Sequence, residues 1–120
     1  MIFKIGDIVM MQREAERFCT FLADNEVPEN RVFDSRLVFN ELVGNILKHA
    51  RGVATVYSEI KDGYVEVRVQ STKVFIPPQT TRLVDVHEEH GRGLFLVDSV
   101  CEERTTAPDG TILVKISTTK

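Results

Sequence analysis

The sequence predicts an α+β fold, a two-layer sandwich with helices on one face of a mostly antiparallel sheet. Apolar residues recur at helical spacing before residue 50 and alternate with polar ones after residue 53. The two alternating runs flank Asp62-Gly63, a dipeptide favoured in tight hairpin turns. At 120 residues the chain suits one domain, residues 1–120, with a single modest core. No repeat, low-complexity tract or linker divides it.

Residues 2–5 (IFKI) read as a short strand. Asp7 is then an N-cap, and Ile8, Met11, Ala15, Phe18, Cys19 and Leu22 form one face of a first helix ending near Asp24 and Asn25. A second helix opens near Pro28 and runs to about Ala50, with Gly52 as its stop. The hairpin strands are ATVYSEIK and YVEVRVQS. In the second, Val65, Val67 and Val69 alternate with Glu66, Arg68 and Gln70, so one face is buried. Residues 71–92 form a long irregular stretch containing Pro77-Pro78. A third helix, GLFLVDSVCEE, follows Gly91-Arg92, and Asp109-Gly110 introduces a last strand, TILVKIST.

Composition narrows the function classes. Hydrophobic residues at 42% and charged ones at 28% mark a globular chain rather than a disordered one. A net charge of −3 without any Lys/Arg run argues against a general nucleic-acid or anionic-membrane surface. No apolar stretch approaches the ~20 residues that span a bilayer. The N-terminus meets Asp7 too early to build a signal-peptide core, so a cytoplasmic location is expected. Cys19 and Cys101 have no CxxC spacing and no ligand cluster around them, and read as buried free thiols.

The segment 41–50, ELVGNILKHA, carries Glu41, Asn45 and His49 at intervals of four. Each interval advances about 40° around a helix, so the three side chains form one stripe. With Val38 at zero, the apolar set from Phe39 to Ala50 fills the arc from about 40° to 180°, and the stripe lies near 300°, 340° and 20°. It slants from the polar side to the border of the core. That suits the rim of a cleft, and it equally suits an ordinary solvated rim. Some 40 residues on, EEHGRGLFLVDSV leads Gly91 and Gly93 into a helix, where glycine lets backbone approach a ligand and first-turn N–H groups receive phosphate. A lone GxG is weak evidence.

Taken together and in this order, the two segments resemble the gyrase-, chaperone-, histidine-kinase- and mismatch-repair-type ATPases, the Bergerat or GHKL superfamily. Within it the chain looks most like the anti-sigma-factor serine kinases, over nearly its whole length. The family's N-box, Glu-x-x-x-Asn-x-x-x-His, is matched by Glu41, Asn45 and His49. Its second glycine box is matched by Gly91, Arg92, Gly93 and Leu94, and a late Gly-Thr by Gly110-Thr111. The resemblance implies helices on one face of a mostly antiparallel, mixed sheet, and a site for ATP and Mg²⁺. Asn45 would ligate Mg²⁺ through its amide oxygen. Glu41 would be catalytic, orienting or deprotonating the attacking hydroxyl. Gly91, Arg92, Gly93 and Leu94 would wrap phosphate, Thr111 would sit by adenine, and His49 would contact phosphate or close the helix end.

One family motif is missing. Asp-x-Gly-x-Gly, whose Asp accepts from the adenine amino group, should end the second hairpin strand, and this chain reads VRVQSTKVFIPP there. Alternation with Val67 and Val69 puts Ser71 at the Asp position, whereas matching Phe75 and Pro77-Pro78 puts Gln70 there. In either register there is no Asp, and Lys73/Phe75 or Thr72/Val74 stand where the glycines belong. The lost charge-assisted hydrogen bond is of a kind worth ~1.5–3 kcal/mol, about one to two orders of magnitude in affinity. ATP binding is therefore expected to be weak or absent. His87, Glu88, Glu89 and His90 fall in what would be the ATP lid and read as a solvated lid rather than a metal site.

Three functions are compatible with these residues. One is a regulatory ATPase-like domain with a diverged site, acting in bacterial signalling or transcription control. The second is a pseudo-kinase interaction module, and the third an active protein serine kinase. The resemblance implies a protein partner, either a STAS-like anti-anti-sigma protein or a sigma factor. The composition, by contrast, leads us to expect no direct nucleic-acid contact and no membrane, and a homodimer is left open.

Overall fold

The computed structural model describes residues 1–50, 52–72 and 89–119, the side chains of residues 49, 50 and 89–92 apart. Its elements are β1 (Ile2–Ile5), α1 (Ile8–Asp24), α2 (Glu29–Asn45), β2 (Ala54–Lys61), β3 (Tyr64–Ser71), α3 (Glu89–Val100), β4 (Glu103–Thr106) and β5 (Ile112–Ser117), with a π-helical turn, Ile46–Ala50, directly after α2. Among the described residues the fold is α+β, with three α-helices and one five-stranded sheet in the order β1-β2-β3-β5-β4. Every strand pairing among the described residues is antiparallel, so the mixed sheet that was expected is not found among them.

Local chemistry sets the boundaries. Asp7 is extended and its carboxylate accepts the Met10 N–H at 2.8 Å, which satisfies one free donor at the start of α1. Pro28 precedes α2 and accepts from Arg31 and Val32, both at 2.9 Å. In the hairpin Asp62 and Gly63 both take positive φ, 53° and 82°, as a two-residue turn with the strands' own twist demands. β2 and β3 therefore pair from Lys61–Tyr64 through to Ala54–Ser71.

Alternation on the strands decides which face is covered. Phe3, Ile5, Ala54, Val56, Val65, Val67, Val69, Ile112, Val114 and Ile116 are buried and share a core with Phe18, Leu22, Val38, Phe39, Leu42 and Val43 of α1 and α2. Leu94 and Val97 bring α3 into the same core. At its centre Phe3, Phe18 and Phe39 meet with ring centroids 5.4–5.9 Å apart. The opposite face of the sheet carries the polar residues of the alternation. Arg104 of β4 makes a two-pronged bond to Asp98 of α3, at 2.6 and 3.0 Å, and ties that helix to the edge of the sheet. Among the described residues no helix is long and apolar enough to cross a membrane.

Candidate functional site

α2 presents Glu41 and Asn45 one turn apart. Both line a groove of about 420 Å³ whose walls come from α1, through Ile8, Met11 and Gln12, from α2, through Arg36 and Glu41, and from the π-helical turn after it, through Lys48. Asn45 is only 6% exposed, and its side-chain nitrogen has no hydrogen-bond partner. A buried amide without a partner costs about 1–3 kcal/mol, so one that lines a groove marks a place where a ligand would restore bonding. Arg36 is engaged across the helix pair by Glu16 at 2.6 Å.

On its other side Glu41 meets α3. A Cβ built on Gly93 would collide with the Glu41 carboxylate, and would lie 3.4 Å from its Cδ. Gly93 is therefore where α3 comes down onto α2, and the lack of a side chain makes room for the carboxylate. Glu41 is held between the groove and a helix backbone.

The remaining sequence candidates fall in three places. α3 begins at Glu89 rather than after Arg92. Gly91 thus sits in its first turn, where N–H groups lack helical partners, but Gly93 falls beyond that turn and its N–H is taken up within the helix. Leu94 is fully buried in the core, where its side chain packs rather than binds. The side chains of His49 and Arg92 lie outside the described residues, as do His87 and Glu88; Glu89 and His90 are described only in backbone. The Ile46–Ala50 turn is π-helical, so the straight four-residue stripe stops at Asn45.

At the end of the sheet, Ser71 shares the covered face with Val65, Val67 and Val69 and pairs with the fully buried Ala54. Gln70 points to the opposite, exposed face. The two registers left open by the sequence thus differ in face, and Ser71 is the one on the side of the helices. Thr111 stands directly before β5, its N–H donating to Asp109 at 2.9 Å. That bond holds the exposed Asp109 carboxyl below its ordinary range. Among the described residues, neither Ser71 nor Thr111 lines the Glu41–Asn45 groove.

The α1 wall was not anticipated. Ile8 and Met11 match the helical apolar period of core positions, yet both line the groove, and Ile8 is 47% exposed. Met11 packs against the core as well as lining the groove, so the apolar period alone does not separate this wall from the core face.

The residues fit a Mg²⁺–phosphate group in one respect. Among the described residues no cluster of three His, Cys, Asp or Glu could hold a metal. Mg²⁺ needs none, since it keeps waters and substrate phosphates around one or two protein ligands. Asn45, which lines the groove, could supply one such ligand through its amide oxygen, while its unpartnered amide nitrogen, a donor, would face an acceptor such as a phosphate oxygen.

No protein-family model matches this chain, and no curated protein matches it significantly. The site is read on its own geometry.

Proposed function

We propose that this chain is a regulatory ATPase-like domain of Bergerat type, similar to the anti-sigma-factor kinases, with a diverged and weak nucleotide site. The observation that carries the reading is the joint position of Glu41 and Asn45: a buried side chain whose amide nitrogen lacks a partner, one turn from a carboxylate that α3 packs against through Gly93. A pure scaffold has no physical need for either group.

In this reading the Asn45 amide oxygen would hold Mg²⁺, whose chemistry there would be to neutralise phosphate charge. Glu41, fixed by Gly93 behind it, accepts the proton of an attacking hydroxyl, which belongs to a serine in a kinase and to water in an ATPase. The base is held poorly. Ser71 offers a hydroxyl where relatives would have a carboxylate, so adenine loses a charge-assisted bond. The partner in this reading is a STAS-like protein or a sigma factor, and the regulation works by contact.

One observation favours the pseudo-kinase interaction module instead. Gly93 is used for helix packing, and its N–H lies inside α3 rather than at a helix start aimed at phosphate. Incubation with radiolabelled ATP, Mg²⁺ and a STAS-like protein separates the two. Slow label transfer that disappears in Glu41→Ala supports the diverged kinase. Tight partner binding with neither transfer nor nucleotide dependence supports the module.

A further inference from the structure

The groove beside Asn45 is lined by more than a phosphate site uses. Its α1 wall is apolar at Ile8, which is 47% exposed, and at Met11. On the α2 side it is lined by Gly44, where an added Cβ would meet nothing within 4 Å. Glycine is a poor helix former, and among the described residues no neighbour packs into the space it leaves. The groove is therefore bare at a cost to α2, next to the side-chain nitrogen of Asn45, which is buried and lacks a partner. The amides of Gln12 and Asn40 line the same groove. Among the described residues, Ser71 and Thr111 at the end of the sheet do not.

We propose that the base of a bound nucleotide lies in this groove, across Gly44 and against Ile8 and Met11, rather than at the sheet end where the resemblance puts adenine. The inference rests on the reading of Asn45 as the phosphate side and deepens it by placing the base. A flat ring needs a floor without a side chain and apolar contact on its faces, and these three residues supply both. The Met11 thioether suits a ring, because sulfur–aromatic contacts are favourable. At about 420 Å³ the groove falls within the size range of small-molecule and cofactor pockets. Gln12 and Asn40 each carry a donor and an acceptor and can turn either one to a purine edge, so adenine and guanine are served alike.

Calorimetric titration of the whole chain in Mg²⁺ compares ATP with ribose 5-triphosphate, which keeps the sugar and the charges and lacks the base. ATP should bind at least about tenfold more tightly. Gly44→Leu fills the floor and should bring ATP down to the level of ribose 5-triphosphate. Leucine suits a helix better than glycine and the space there is open, so circular dichroism should show the variant folded. In NMR spectra the Ile8 and Met11 methyl signals should shift with ATP and stay in place with ribose 5-triphosphate, while the Asn45 side-chain amide shifts with both. Equal affinities with unmoved Ile8 and Met11 methyls would overturn the proposal and leave the phosphate site standing. So would an ATP affinity that Gly44→Leu spares and Ser71→Val lowers. If neither compound moves the Asn45 amide, the nucleotide reading fails and the base site fails with it.

Discussion

The Glu41 carboxylate occupies the space where a side chain on Gly93 would begin. α3 contacts α2 at that point, and the contact fixes the one acidic group of the N-box-like stripe. Replacement of Gly93 by Ala should change stability by less than about 1 kcal/mol. Ala gains helix propensity over Gly, and the obstructing atoms are the far end of a side chain that can rotate away. Function should respond more strongly. Gly93→Ala displaces the carboxylate and lowers any phosphotransfer or hydrolysis toward the level of Glu41→Ala. Urea denaturation paired with turnover measurements tests this, and equal losses in both would contradict it.

Asn45 should show the opposite balance of stability and function. Its amide nitrogen is buried without a partner, so Asn45→Leu removes a desolvation cost and should leave the unliganded protein equally stable or up to about 1 kcal/mol more stable. The same change should eliminate Mg²⁺-dependent nucleotide binding. Thermal melts with and without Mg²⁺-ATP would show both effects, and a strongly destabilised Asn45→Leu would mean that the amide serves the fold.

Phe39 lies fully buried between Phe3 and Phe18, where two elements of the helical layer meet β1. Phe39→Ala should cost about 3–5 kcal/mol, because the cavity it leaves is bounded by three different elements that cannot all close in. A shift in the denaturation midpoint at constant slope is the expected signature.

Burial pushes both thiols, Cys19 and Cys101, above their ordinary pKa. The thiolate is the reactive form, so at pH 8 both should alkylate more slowly in the native protein than after unfolding. Mass spectrometry of iodoacetamide-treated protein gives the two rates. Rapid native labelling of either cysteine would show it to be activated.

Much of the fold was legible because its signals were local. Asp7 caps α1, Asp62-Gly63 turns the hairpin, and Val65, Val67 and Val69 mark a covered face, each by chemistry contained within a few residues. β4 was missed because ERTT is a short, half-exposed edge strand with no apolar alternation, defined by its pairing with β5 rather than by its own sequence. The start of α3 was misplaced because Gly91 and Gly93 read as helix breakers. Gly93 is tolerated inside the helix because the carboxylate of Glu41, far away in the sequence, takes the room a side chain there would fill. In the candidate site, the Glu41–Asn45 spacing was readable from helical period alone. The α1 wall and the π-helical turn after Asn45 depend on how two helices pack, and no short motif encodes that. Pleating, likewise, separated Ser71 from Gln70 only once the register with Ala54 and Thr55 was known.

The central claim is a phosphate-side nucleotide site with an impaired adenine end, and calorimetric titration of the whole chain with ATP and with GTP tests it most directly, with and without Mg²⁺. The account predicts weak binding that requires Mg²⁺, disappears in Asn45→Leu, and differs less than about tenfold between the two nucleotides, since Asn45 contacts depend little on the base. Tight, adenine-selective binding would contradict the impaired pocket. A flat titration with both nucleotides at millimolar concentration would contradict the site itself.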